Sequence, residues 1–122
     1  MTIKKILICD DAPADLANIR HILQTTNCIL IEATDGAEAL KKAKAEKPDV
    51  IFLDIVMPGM DGFATCRALH EDPDTKHIPV IFVSSKNQKA DKVWAQMQGA
   101  KDLICKPSDA NEILTALKAL GL

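Results

Sequence analysis

Asp10-Asp11, Asp54, Ser84 and Lys106 each stand directly after a short apolar run: Ile6-Leu7-Ile8-Cys9, Val50-Ile51-Phe52-Leu53, Val80-Ile81-Phe82-Val83 and Leu103-Ile104-Cys105. Taken singly, each has an ordinary explanation. An Asp or Ser after a strand commonly caps a helix, and a Lys there is commonly solvated. Brought to one rim of one sheet, they would gather three carboxylates, a hydroxyl and an ammonium in one crevice. Like-charged carboxylates about 4 Å apart repel by ~4 kcal/mol at an effective dielectric of about 20. Lys106 offsets one charge. A hard divalent cation such as Mg²⁺, which takes one or two carboxylates, waters and a phosphate oxygen, suits the remainder. A carboxylate, a hydroxyl donor, a fixed ammonium and a divalent cation can together assist phosphoryl transfer, which depends mostly on positioning and charge neutralisation. Asp can itself accept the phosphoryl group as an acyl phosphate.

The pattern between these residues changes period at short, regular intervals. After Pro13, a residue suited to the first turn of a helix, Leu16, Ile19 and Leu23 recur at helical spacing. Cys28-Ile29-Leu30-Ile31 reads as a second strand, and Asp35-Gly36-Ala37-Glu38 has the offset of a capping box, with Ala37, Leu40 and Ala43 on the face that follows. A helix after Gly62 places Phe63, Ala64 and Cys66 inward. The next puts Ala90, Val93, Trp94 and Met97 on one stripe, so Trp94 is expected to pack in the core. Ile113, Leu114, Leu117 and Leu120 form the last inner face. That is (βα)₅, an α/β chain. Strands apolar throughout predict a sheet covered on both faces, and strict alternation predicts parallel strands with right-handed crossovers. Five units cannot close an eight-stranded barrel. An open, doubly wound sheet is left, whose ligands bind outside the carboxyl ends of its strands.

Composition narrows the class. The length of 122 residues, with 48% apolar and 26% charged, suits one domain with a buried core. Fifteen basic against 17 acidic side chains give a net charge of −2, which argues against a nucleic-acid surface. No apolar run approaches a membrane span, and Met1-Thr2-Ile3-Lys4-Lys5 runs too soon into Asp10-Asp11 for a secretory signal. Cys9, Cys28, Cys66 and Cys105 have no Cys-x-x-Cys spacing and read as buried free thiols in a reducing cytoplasm. Strand alternation points Cys9 and Cys105 away from their charged neighbours. His21, His70 and His77 are scattered, without metal-ligand spacing.

Asp10-Asp11, the stretch Asp54-Ile55-Val56-Met57-Pro58-Gly59-Met60-Asp61-Gly62, Ser84 and Lys106-Pro107, in that order, resemble the receiver domain of bacterial two-component response regulators, the CheY-like fold. The resemblance covers essentially the whole chain and implies a flavodoxin-like five-stranded parallel sheet in the order 2-1-3-4-5. It implies Asp54 as phosphoacceptor for a histidine kinase. Asp11 and Asp54 would ligate Mg²⁺, with the backbone carbonyl of Val56 as a third ligand and Asp10 acting through water. Ser84 and Lys106 would hold the phosphoryl oxygens, and the Lys106-Pro107 bond would be cis. Within the family, Ser84-Ser85-Lys86-Asn87-Gln88, Asp91-Lys92-Val93-Trp94 and Gly99-Ala100-Lys101-Asp102 look most like the stand-alone regulators of type IV pilus twitching motility.

Residues 1–122 are then expected to be one receiver domain with no output domain, since Leu120 closes the last apolar face two residues from the end. Output would pass to a downstream protein through the face of helix four, strand five and helix five, or the chain would act as a phosphate sink for a shared kinase. The expected protein is a cytoplasmic monomer, with dimerisation on phosphorylation as the open alternative, no nucleic acid partner and no membrane insertion. It would be no enzyme beyond its own phosphorylation and dephosphorylation. Two rivals share the chemistry or the fold. A small Mg²⁺-dependent phosphatase of the haloacid dehalogenase type would want Asp-x-Asp after the first strand, and here the pair is adjacent. A flavin-binding protein would want a Ser/Thr/Gly-rich phosphate loop, and Asp10-Asp11-Ala12-Pro13 would repel a phosphate.

Departures from the family pattern matter. Leu103 stands where relatives often carry a switching aromatic, and the chain has no Tyr. A smaller, hydroxyl-free group gains less from moving, so the loop around Lys86 to Lys89 is expected to carry more of the conformational response. Val56 and Lys86, two residues after Asp54 and Ser84, offer no clear group to align attacking water. Val56→Asn should therefore shorten the lifetime of an acyl phosphate on Asp54, measured as loss of label over time. Unchanged lifetimes in both Val56→Asn and Lys86→Glu would remove this assignment.

Overall fold

The computed structural model describes residues 3–86 and 88–121, so Met1, Thr2 and Asn87, which enter the readings above, lie outside the described residues. Five strands alternate with five helices: β1 (Lys5–Cys9), α1 (Pro13–Leu23), β2 (Ile29–Ala33), α2 (Gly36–Glu46), β3 (Val50–Leu53), α3 (Gly62–Glu71), β4 (Val80–Ser84), α4 (Lys89–Met97), β5 (Asp102–Cys105) and α5 (Ala110–Ala119). All neighbouring strands are parallel, in the order β2-β1-β3-β4-β5. The (βα)₅ doubly wound sheet is as expected.

Side-chain alternation along the strands builds two cores. Leu7, Cys9, Ile51, Leu53, Val80 and Phe82 face Ala39 and Ala43 of α2, Phe63, Cys66 and Leu69 of α3, and Ala95 of α4. Ile6, Ile8, Val50, Phe52, Ile81, Val83 and Ile104 face Leu16, Ile19, Ile22 and Leu23 of α1 and Ile113 and Leu117 of α5. Each fully buried Ile, Leu or Phe contributes about 1.5–3 kcal/mol by leaving water. The central strands β1, β3 and β4 are covered on both faces. The edges are not: Ile29 of β2 is 61% exposed, and Leu103 and Cys105 of β5 are half-buried.

The α2 and α3 faces differ from the expected ones at single positions, and the α4 face is reversed. In α2, Ala37 is exposed, and the buried positions are Gly36, Ala39 and Ala43. Gly36 packs so closely on α3 that a Cβ there would stand 2.3 Å from the Thr65 hydroxyl oxygen. The missing side chain therefore sets the inner face. In α3, Phe63, Cys66 and Leu69 are inward and Ala64 is only half-buried.

In α4 the stripe points outward: Val93, Trp94 and Met97 are 49, 44 and 67% exposed, and Ala90 is exposed. The helix turns Ala95 and Asp91 inward instead. Asp91 is buried by its local bonds. Its carboxylate accepts from the Gln88 amide at 3.0 Å and pairs with Lys86 Nζ at 3.3 Å. The small Ala95 then lets α4 lie against the sheet. Trp94 still meets the edge of Phe63, with ring centroids 6.4 Å apart.

All four cysteines are free, with Cys9 and Cys66 buried and Cys28 and Cys105 half-buried. Burial, reinforced for Cys9 by nearby carboxylates, pushes both buried thiols up to about 12.

Between β3 and α3 the chain passes so near the end of β3 that position 62 has no room for a side chain. A Cβ on Gly62 would stand 2.1 Å from the Asp54 carbonyl oxygen, and the Gly62 amide donates to the Ile55 carbonyl at 2.7 Å. Gly62→Ala is expected to destabilise the fold by about 1–3 kcal/mol, in the range of an overpacked core. Chemical denaturation measures the loss, and an unchanged midpoint would show that the loop moves aside freely.

Candidate phosphoryl-transfer site at the carboxyl ends of the strands

The parallel ladder runs one residue past the strands and carries the site with it. The Asp10 amide donates to the Ala33 carbonyl at 3.1 Å, the Asp54 amide to the Cys9 carbonyl at 3.0 Å, and the Lys106 amide to the Ser84 carbonyl at 3.0 Å. The backbone positions of three site residues are thus set by sheet hydrogen bonds, before any side chain meets another. The Cys9 Sγ lies against the Asp35 carbonyl at 3.3 Å and Met57 Sδ at 3.5 Å.

Carboxylate oxygens of Asp10, Asp11 and Asp54 lie within 4.8 Å of one another. Asp10 and Asp54 are buried and Asp11 is exposed. One oxygen of Asp10 accepts from the Ala12 amide at 2.9 Å, and Asp54 Oδ1 accepts from the Ile55 amide at 2.7 Å. The Lys106 ammonium donates to Asp10 Oδ2 at 2.8 Å, to Asp15 Oδ2 at 2.9 Å and to Asp54 Oδ2 at 3.1 Å. The Ser84 hydroxyl, fully buried at the end of β4, accepts from the Lys86 amide at 3.2 Å. Val56 is exposed in the loop after β3. The Lys106-Pro107 peptide is cis.

Every site residue read from the sequence thus stands on the carboxyl rim of the sheet. Asp15, in the first turn of α1, was not among them. An acidic residue two positions after Pro13, in the first turn, reads as a partner for the positive end of the helix.

The electrostatics follow from burial and from this shared cation. Burial drives the Asp10 carboxyl above the ordinary aspartate range, only partly opposed by its bonds from Lys106 and the Ala12 amide. Lys106 is pulled down by burial, but Asp10, Asp15 and Asp54 together outweigh this and hold the ammonium above the ordinary lysine range. Hard anionic oxygens gathered this closely are the donor set that Mg²⁺ takes, and nitrogen or sulfur ligands are absent from this cluster.

The chain matches the response regulator receiver domain family over residues 6–118. It belongs to that family. The receiver is 40% identical to protein PilH of Pseudomonas aeruginosa over 116 residues, covering 95% of this chain and 96% of PilH. It is 35% identical to PilG of the same organism, covering 94% of this chain and 85% of PilG. It spans only 26% of another relative, the response regulator PleD of Caulobacter vibrioides, at 36% identity. Among solved structures, the chemotaxis protein CheY4 of Vibrio cholerae superposes with a TM-score of 0.90 at 28% identity, over 98% of this chain and 99% of CheY4. The receiver is therefore a signalling domain of the CheY type.

A raised Asp10 pKa has a definite sign. The folded receiver binds the Asp10 proton more tightly than the unfolded chain does. Ionised Asp10 therefore lowers stability, and this penalty is full above its folded pKa and absent below the ordinary aspartate value. In metal-free buffer at neutral pH, Asp10→Asn should raise the Tm. The gain should shrink in acid as wild-type Asp10 takes up its proton. Equal Tm values at pH 7 would mean that the Lys106 bond fully offsets burial.

Proposed function

We propose that the receiver accepts a phosphoryl group on Asp54 from the phosphohistidine of a kinase and thereby switches its binding to another protein. The observation that carries this reading is the placement of Asp54. Its Oδ2 lies 3.1 Å from the Lys106 ammonium, within an acidic cluster that is otherwise strongly self-repelling. The Asp54 carboxylate attacks phosphorus, a P–O bond forms and the P–N bond breaks. The imidazole leaves with the electron pair and takes up a proton. Later attack by water on the acyl phosphate releases inorganic phosphate and restores the carboxylate.

Asp11 and Asp54 would hold Mg²⁺ directly, with the Val56 carbonyl as a third ligand and Asp10 through water. When bound, the ion supplies positive charge that offsets the carboxylates and the phosphoryl oxygens. Ser84 and Lys106 would take two phosphoryl oxygens. Lys106 acts by fixed position and charge rather than as a proton carrier, since its ammonium is held above the ordinary range.

The readout would leave through α4, β5 and α5. The exposed Val93, Trp94 and Met97 support this, since a solvent-facing apolar stripe is available for a protein partner. Likeness to PilH along nearly its whole length supports a single receiver controlling type IV pilus twitching motility. No described helix is long and apolar enough to cross a membrane, which fits a cytoplasmic protein.

A small phosphodonor such as acetyl phosphate with Mg²⁺ tests the site. Asp54 should gain an acid-stable, base-labile label that Asp54→Asn lacks, and Asp11→Ala should lose most of it. Lys106→Ala should retain part of the labelling but blunt the Trp94 fluorescence change. A label mapped to Ser84 or Ser85, or full labelling of Asp11→Ala, would overturn the assignment.

A further inference from the structure

An ammonium group has three N–H donors, and Lys106 spends all of them on carboxylates. A phosphoryl oxygen arriving at Asp54 must take one of those donors. The three acceptors do not release it with equal ease. The Asp10 side chain is 1% exposed, so losing the cation there would strand a buried charge. Asp54, 7% exposed, instead gives up its carboxylate charge on becoming an acyl phosphate and draws the ammonium outward with the phosphoryl group. The Asp15 side chain is 45% exposed, and water can take the place of Lys106 there. The ammonium also sits nearer to Asp10 and Asp15, at 2.8 and 2.9 Å, than to Asp54 at 3.1 Å.

We propose that Asp15 is a positioning residue, a latch that holds the Lys106 ammonium toward α1 in the unphosphorylated receiver and releases it to the phosphoryl group. This rests on Asp54 being the phosphoacceptor. The latch opposes phosphorylation by a partly exposed ion pair, so its removal favours the phosphoryl-bound state. It also makes the first turn of α1 sensitive to the state of Asp54. Asp15 lines a cleft of about 200 Å³ with Asn18, Ile19, Lys106, Pro107 and Ser108. Asn18 Nδ2 donates to the Ser108 carbonyl at 3.3 Å, so α1 stays tied to the loop after β5 when Asp15 lets go.

Beryllofluoride with Mg²⁺, a mimic of the phosphoryl group, tests the latch. Wild type should bind it and Asp54→Asn should not. Asp15→Asn should bind about fivefold more tightly, the worth of one partly exposed ion pair. In a Lys106→Met background the same Asp15→Asn change should have no effect, because the latch works only through the ammonium. Equal affinity of Asp15→Asn and wild type would overturn the latch, as would an undiminished gain in the Lys106→Met background, which would be a through-space charge effect. Wild type that fails to bind beryllofluoride, or Asp54→Asn that binds it, would sink the phosphoacceptor reading itself. A second readout needs neither metal nor the Lys106 variant. In the metal-free protein, exchange of the Lys106 ammonium hydrogens with water, followed by nuclear magnetic resonance, should quicken in Asp15→Asn. Unchanged exchange would overturn the latch even if Lys106→Met does not fold.

Discussion

The carboxyl rim of the sheet is built around a charge imbalance. Four carboxylates, from Asp10, Asp11, Asp15 and Asp54, share the neighbourhood of the single ammonium of Lys106, which binds three of them at 2.8–3.1 Å. Two of those carboxylates are buried, where an unpaired charge is most costly. Sequence alone makes such a cluster improbable as a stabilising device, and the fold supports it only because the sheet fixes the backbone beneath it. The amides of Asp10, Asp54 and Lys106 each extend the ladder by one bond. The sheet stabilises what the side chains destabilise, and the surplus negative charge is what a divalent cation and a cation-assisted transfer require.

That division explains which parts of the fold were legible in the chain. Continuous apolar strands and their polar ends were readable because burial on both faces leaves a dense, unambiguous signal, as in Val50-Ile51-Phe52-Leu53. Helix faces were less readable where a contact depends on a small residue. Gly36 and Ala95 are buried because they are small, and small residues give only a weak signal of which face turns inward. In α4 the apolar stripe gave the opposite orientation, since Asp91 is turned inward by its bonds to the Gln88 amide and Lys86 rather than by hydropathy. A stripe says which residues share a face, and the partners decide where that face points.

The site was legible in another way. Asp10, Asp11, Asp54, Ser84 and Lys106 could be placed together because each ends or follows a strand, and parallel strands put all such positions at one rim. Asp15 escaped because it reaches the rim from a helix. Its approach depends on where α1 begins, and that is set locally: Asp10 accepts from the Ala12 amide, Ala12 precedes Pro13, and the helix starts there. The helix lacks a side-chain cap of its own, so the buried Asp10 carboxylate shapes the entry to α1. Positions fixed by register can be read from a strand pattern. Positions fixed by a helix's starting angle need the turn that precedes it.

The same logic applies to the far side of the rim, where a signal would leave. The Ser84 hydroxyl accepts from the Lys86 amide, Lys86 Nζ pairs with Asp91, and Asp91 accepts from the Gln88 amide at the start of α4. Any movement of the Ser84 hydroxyl toward a phosphoryl oxygen withdraws the acceptor from Lys86, and the loss falls on the residues that cap α4. Water can replace that acceptor at an exposed backbone, so the step costs little and is readily reversed. Leu103, half-buried against the core between the sheet and α4, has no polar atom to gain or lose in such a move. It can follow the space that opens but adds no differential hydrogen bond between the two states. The polar chain from Ser84 to Asp91 is therefore better suited than Leu103 to transmit the change, and it ends on the helix whose Val93, Trp94 and Met97 face solvent.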